Sequence, residues 1–214
     1  MRGQKKQLRR RFRQARAALS AAQRHRAEKT VVRRLKPLVK RGRKIAAYWA
    51  LGSELRPDGL FRTAWRRGAE IYLPHIVRGS RRMWFTPYRE GMRPERGRGQ
   101  ARLQVPQFAG RKIRAERLDV ILLPVVAADR HGFRLGQAGG YYDATLARCR
   151  PKRPLRIAVG FSCQLADQLP REPHDIPLHG FVSERHNLRF KSPAARTPKG
   201  RTAQGHEAAG VLAI

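Results

Sequence analysis

Acidic side chains are scarce in this sequence: 15 Asp and Glu stand against 48 Lys and Arg, a formal charge of +33 at pH 7. A surface so dominated by one sign attracts polyanions non-specifically, whatever else the protein does. Two readings follow, a solvated arginine-rich face or a genuine nucleic-acid-binding surface. The basic residues are scattered along the whole length, few aromatics (7%) are interleaved with them, and no helix-turn-helix, RNA-recognition or zinc-finger pattern occurs, which favours the solvated face. Cysteine is nearly absent. Cys149 and Cys163 form neither a disulfide framework nor a metal-ligand spacing, and a reducing cytoplasm is the expected setting. Long apolar runs are missing too: none reaches the about 18 residues of a membrane span, so no membrane is expected as a partner. The opening MRGQKKQLRRRFRQARAAL is basic but lacks the apolar core and cleavage site of a secretory signal. No Ser/His/Asp or Cys/His set for nucleophilic catalysis is evident.

What is present suits one sizeable core: 214 residues with an apolar fraction of 41%. Leu8, Phe12, Ala15 and Leu19 recur at helical spacing and predict a helix over residues 4–19. Ser20 and Gln23 make a capping box for a second helix with the stripe Val31, Val32, Leu35 and Leu38, stopped at Gly42. Lys44–Ala50 reads as a strand, and Asp58 as the cap of a helix through Trp65 that ends at Gly68. Ile71–Ile76, Arg81–Tyr88 and Leu155–Val159 read as further strands, with a Gly-, Pro- and Arg-rich connection over 91–112. The expected fold is α/β: a single domain over 1–184, with two N-terminal helices and a mostly parallel sheet flanked by helices. From Arg185 the composition turns to Ser, Pro, Lys, Arg and Gly, predicting a disordered basic tail over 185–214.

The stretch with the most chemistry is LDVILLPVVAADRHGFRLGQAGGYYDATLAR, Leu118–Arg148. Val120–Val126 is apolar and β-branched, as in a strand buried on both faces. A turn cluster, Asp129–Gly132, then leads through Arg134 to the small-residue loop Gln137–Gly140 and a helix expected to run from Tyr141 to about Arg150. Strand, glycine loop and helix together can cradle a phosphate, because glycine lets the backbone approach an anion and the first helical amides point at it. Arg134 suits bidentate phosphate contact, Asp143 a divalent metal, and Tyr141 and Tyr142 a flat ring. Composition alone favours a tight strand-to-helix turn with two core tyrosines, since neither G-x-G-x-x-G nor a P-loop is present.

The order of residues is more specific than their composition. D-x-x-G-x-R-L-G-x-x-x-G-Y-Y-D, here Asp129, Gly132, Arg134, Leu135, Gly136, Gly140, Tyr141, Tyr142 and Asp143, resembles the signature of the 5-formyltetrahydrofolate cyclo-ligase (methenyltetrahydrofolate synthetase) family. The resemblance spans residues 4–184. It implies ATP-dependent cyclisation of 5-formyltetrahydrofolate, with or without a polyglutamate tail, to 5,10-methenyltetrahydrofolate, with Mg²⁺ as cofactor and ADP and phosphate released. On that resemblance Lys5 and Arg9 match the K-x-x-x-R pair that faces nucleotide phosphates. Arg134, Leu135, Gly136, Gln137, Ala138, Gly139, Gly140, Tyr141 and Tyr142 complete the ATP site, with Arg134 and Tyr141 catalytic. Trp49, Glu54 and Tyr141 would meet the folate, and Asp143 with Asp175 would hold the metal. Trp84 is a second candidate for an aromatic pocket around the pterin. The sequence departs from the family at several places. Gln137 and Ala138 replace a basic or aromatic residue and a glycine, Ala144 replaces a frequent Arg, and Gln104 stands two residues before Pro106 in a segment that lacks the usual Glu-Pro. His179 takes the place of an acid and Ser183 that of a threonine. The competing reading is a member that has lost activity and binds nucleic acid through its charge.

Overall fold

The computed structural model describes residues 1–95 and 105–190. Its helices are α1 (Arg2–Ala17), α2 (Ala21–Leu35), α3 (Asp58–Arg66) and α4 (Tyr141–Leu146). The strands, in chain order, are β1 (Lys44–Ala46), β2 (Glu70–His75), β3 (Trp84–Tyr88), β4 (Val120–Pro124), β5 (Ala127–Asp129) and β6 (Arg134–Leu135), then β7 (Leu155–Val159), β8 (Leu165–Ala166), β9 (Gly180–Val182) and β10 (Asn187–Arg189). Seven of them form one sheet in the order β10-β9-β7-β4-β1-β2-β3, parallel through its centre and antiparallel only where β3 and β10 close the two edges. The remaining three make a small sheet, β6-β5-β8. Among the described residues no helix is long and apolar enough to cross a membrane.

The apolar run of β4 dictates the layering. Successive side chains of a strand point to opposite faces. Val120 and Leu122 accordingly pack with Val31 and Leu35 of α2 and Leu60 and Phe61 of α3, while Ile121 and Leu123 pack with Leu146 of α4 and Phe181 of β9. A strand covered on both faces has no place for a polar residue, hence the unbroken run. α1 covers a third cluster instead, its Phe12 lying with Val126, Ala127, Leu135 and Leu169 against the small sheet. The capping box of α2 forms as read: Gln23 N donates to Ser20 Oγ (3.2 Å), and Ser20 N to Gln23 Oε1 (2.8 Å).

Several boundaries differ from the sequence reading. β1 stops at Ala46 rather than Ala50, because Tyr48 and Trp49 leave the sheet to line a cavity. Asp58 sits in the first turn of α3 behind Pro57 and makes no cap hydrogen bond. α4 ends at Leu146, not near Arg150. The chain also stays ordered into the sheet past residue 184: Asn187–Arg189 pair with Val182–Gly180, and Leu188 and Phe190 pack on the α4-side core. That alternation of apolar residues is what a strand needs and a tail does not. The rest of the expected tail, 191–214, lies outside the described residues, as do Leu103 and Gln104.

Beside β7 lies a buried pair with no carboxylate. Arg156 N donates to His179 Nδ1 (3.0 Å), and the two side chains share further contacts, with Arg156 3% and His179 9% exposed. Burial first, and the Arg156 charge second, push the imidazole pKa below its ordinary value, only partly offset by the Pro151 carbonyl. A depressed folded pKa means the unfolded chain takes up the proton first as pH falls, so this contribution to stability is complete above the ordinary histidine value and is lost below it. Urea midpoints should therefore drop between about pH 7.5 and about pH 5.5, the range that straddles an unperturbed histidine, and His179→Gln should flatten that drop. An equal drop in the variant would show that another group is responsible.

Candidate active site

A cavity of about 630 Å³ opens where β1, β2 and β4 end, with Tyr48, Pro74 and Pro124 marking those three ends on its wall. Ligand sites of open α/β sheets lie at the carboxyl ends of strands, where loops diverge. All but one of the residues that the sequence singled out for ATP, folate or metal lie on this wall: Lys5, Arg9, Trp49, Glu54, the run Arg134–Asp143, and Asp175. Trp84 does not. It lies under the Arg114 guanidinium, 3.3 Å from ring centre to Cζ.

α1 brings its cations to one side. Arg9 Nε donates to the Gly136 carbonyl (2.8 Å), which docks the helix on the glycine loop. Burial first and Arg13 second lower the Arg9 pKa. Lys5 is 8% exposed, and its ammonium donates to Glu172 Oε2 (2.6 Å) and Asp175 Oδ2 (3.1 Å). Burial alone would lower its pKa, but those two hydrogen bonds and their charges outweigh it and raise the pKa. The same contact, through the Lys5 hydrogen bond and charge, holds Glu172 below its ordinary carboxyl value.

On the same wall, Arg134 is held rather than free. Its Nη1 donates to the Ile176 carbonyl (2.6 Å) and its Nη2 to Asp143 Oδ1 (2.5 Å), which also accepts from Ile176 N (3.1 Å). The strand residue, the helix residue and the 172–176 loop are thus tied at one point. Glu54, 8% exposed, accepts from Leu51 N on one oxygen and from Gln137 Nε2 on the other, both at 3.1 Å. Gln137 in turn accepts from Arg13, so it bridges α1 and the loop after β1. The wall also carries Trp49, 37% exposed and backed by Tyr88 at 6.1 Å and Phe108 at 5.8 Å between ring centres. Burial, ahead of the Glu54 charge, raises the Tyr142 hydroxyl well above its ordinary pKa, so it stays protonated. Neither thiol is a candidate nucleophile: burial is the first cause that raises both, Cys149 to about 11.

Two site residues were missed from sequence. Glu172, His174 and Asp175 can bring one donor atom each within 4.8 Å of one another, whereas Asp143 is outside that group. Glu172 and Asp175 stand three residues apart, but Glu116 and Asp119 share that spacing, so no sequence signal set them apart.

A mostly parallel sheet with a pocket at its strand ends, lined by cations and by Trp49, is the architecture of an α/β enzyme. The chain belongs to the 5-formyltetrahydrofolate cyclo-ligase family, whose sequence model matches residues 1–184. It is 31% identical over 176 residues to the 5-formyltetrahydrofolate cyclo-ligase of Escherichia coli K12, covering 80% of this chain and 96% of that protein. It is 29% identical over 187 residues to that of Haemophilus influenzae, covering 83% and 96%. Among solved structures it is similar to the 5,10-methenyltetrahydrofolate synthetase of Aquifex aeolicus, with a TM-score of 0.73 at 28% identity over 95% of this chain and 97% of that one. The synthetase of Mycoplasma pneumoniae, at 20% identity and a TM-score of 0.68 over 84% of this chain and 98% of that one, shares the fold.

The glycine loop carries a strain that the sequence already hinted at. Ala138 adopts φ +78°, the left-handed region that a Cβ disfavours, and Gly140 adopts φ +66° just before α4. Ala138→Gly should raise stability by about 1 kcal/mol, and Gly140→Ala should lower it by about 1–2 kcal/mol, read from denaturant midpoints. Opposite signs for the pair are the test. A destabilising Ala138→Gly would mean that the Cβ contributes more by packing than it costs in backbone strain.

Proposed function

We propose that this chain catalyses the ATP-dependent closure of 5-formyltetrahydrofolate to 5,10-methenyltetrahydrofolate, releasing ADP and phosphate. The observation that carries the proposal is the convergence of the signature loop, the α1 cations and Trp49 on one cavity, with Arg9 bonded to the Gly136 carbonyl. A formyl oxygen is a poor leaving group. Its attack on the γ-phosphorus expels ADP and leaves a phosphate ester on the formyl carbon. The neighbouring N–H nitrogen closes on that carbon, phosphate departs with the C–O bonding pair, and the nitrogen gives up its proton to phosphate or solvent. Such a sequence requires positioning and charge neutralisation more than a protein nucleophile.

Lys5, Arg9 and Arg134 supply the positive charge for the phosphates. The backbone from Leu135 through Gly136, Gln137, Ala138, Gly139 and Gly140 forms the cradle, with Tyr141 and Tyr142 closing it at the start of α4. Trp49, Glu54 and Tyr141 position the folate, Glu54 through a carboxylate that Leu51 N and Gln137 already orient. Arg2, Lys6 and Arg81 also line the cavity and give the carboxylates of the substrate, single or repeated, a cationic neighbour. Mg²⁺ prefers hard oxygen donors, and the carboxylates of Asp143 and Asp175 fit that preference. When bound, the ion would neutralise phosphate oxygens. A cytoplasmic setting belongs to the same proposal, in keeping with two free thiols.

Purified protein supplied with 5-formyltetrahydrofolate, ATP and Mg²⁺ should generate methenyltetrahydrofolate absorbance that requires ATP. Asp143→Ala should reduce kcat by on the order of 10²–10³-fold, the scale of losing one electrostatic partner in a site of this kind. Trp49→Ala should act mainly on the KM for the folate. Folded protein that yields no ATP-dependent product would refute the proposal.

A further inference from the structure

Two of the proposed roles conflict with the geometry if both are taken to hold at once. Lys5 is assigned to nucleotide phosphates, yet its ammonium is engaged by Glu172 at 2.6 Å and Asp175 at 3.1 Å. Asp175 is assigned to the metal, yet the oxygen facing Lys5 already accepts from that ammonium and from Glu172 N (2.8 Å). We propose that Lys5 exchanges partners: in the nucleotide-free protein it is the resident cation on Glu172 and Asp175, and nucleotide phosphates draw it off, freeing those carboxylates for the divalent ion.

The inference rests on the Mg²⁺–ATP reading above and explains how both assignments can hold in turn. The geometry suits an exchange. Lys5 projects from α1 onto the cavity wall, where the glycine loop also lies. Its head is a compact charge on a flexible four-carbon stem, able to swing between anions without moving the helix. Arg9, one helical turn on, is fixed to Gly136 and keeps α1 in place meanwhile. The carboxylates left behind are close together and next to His174, whose Nε2 lies 3.9 Å from Glu172 Oε2. Without Lys5 this set would carry two negative charges that lack their present counter-ion, a state that a divalent cation relieves. In the resting protein the ammonium neutralises these carboxylates and occupies one oxygen of each. Cation affinity is therefore low until the nucleotide arrives, and the two ligands bind with positive coupling.

Mn²⁺ serves as the probe, followed by water-proton relaxation, which separates free ion, the ion bound to nucleotide, and the ion in a protein complex. Wild-type protein should hold Mn²⁺ weakly alone and form a strongly enhanced ternary complex with a non-hydrolysable ATP analogue. Lys5→Gln should bind Mn²⁺ without nucleotide on the order of tenfold more tightly than wild type, the size of a typical coupling between two sites. Lys5→Arg keeps a cation in place and should stay weak. Adding Asp175→Asn to Lys5→Gln should remove the gain. Folded Lys5→Gln that binds Mn²⁺ no better than wild type overturns the exchange. So does wild-type protein that binds Mn²⁺ equally well with and without the analogue, a comparison that needs no variant. Failure of the cyclo-ligase reading would look different: no analogue binding and no methenyl product, whatever the behaviour of Mn²⁺.

Discussion

One buried carboxylate sets the geometry on which the site depends. Asp129 is 0% exposed at the end of β5, and its Oδ1 accepts from the amides of His131 (3.0 Å) and Phe133 (2.8 Å). Those bonds fold the turn that delivers Arg134 to the cavity. Its Oδ2 accepts from Leu169 N (3.1 Å), which anchors the segment that goes on to supply Glu172, Asp175 and Ile176. An unpaired buried amide costs about 1–3 kcal/mol, so three that share one acceptor hold the site's two halves to a common origin. The leading aspartate of the signature thus acts on ligand only through what it positions.

Around that origin, the acids are deployed against the overall charge. In a chain of formal charge +33, Glu54, Asp143, Glu172 and Asp175 all face one cavity. Each already has a protein partner: Gln137 on Glu54, Arg134 on Asp143, and Lys5 on the other two. Lys5 and Arg134 are thus committed to local anions at rest, while Arg2, Lys6 and Arg81 on the same wall stay exposed. A ligand carrying its own negative charge competes for those cations, and a metal competes for the acids. That competition is more selective than a bare basic patch, which takes any polyanion. The scattered surface arginines and the organised interior charges do different physical work.

Much of the fold was legible because β-branched runs and capping boxes are local. Leu155–Val159 was read to the residue, since Ile157 and Val159 are β-branched and a proline precedes the run, although it carries the buried Arg156. Ser20 and Gln23 were legible for the same reason: the whole motif lies within four residues. The ends of β1 and α4 were not, because Tyr48 and Trp49 would suit a strand as well as a cavity wall, and only tertiary placement decides. The site residues were reached through the order of the signature rather than through periodicity. Glu172 and His174 escaped for a physical reason: they lie in a loop without a period, and what gives them meaning is an ammonium 167 residues away from Glu172. Gln137 looked like a defect in the glycine loop, and its structural role as a bridge from Arg13 to Glu54 depends on contacts more than 80 residues distant.

Those separations have a consequence for how the protein comes into being. Lys5 meets Asp175 across 170 residues, and Arg9 meets Gly136 across 127. Closing contacts of that span is entropically late and slow, so the pocket is among the last features a folding chain can complete. A nascent chain still short of residue 175 has its first helix but lacks the acids that helix must find. Ligands that hold both ends at once bind the native state and not its fragments, and their binding energy is added to the stability of the whole fold rather than to one loop. A ligand that bridges the two ends would favour the complete fold over any fragment of it.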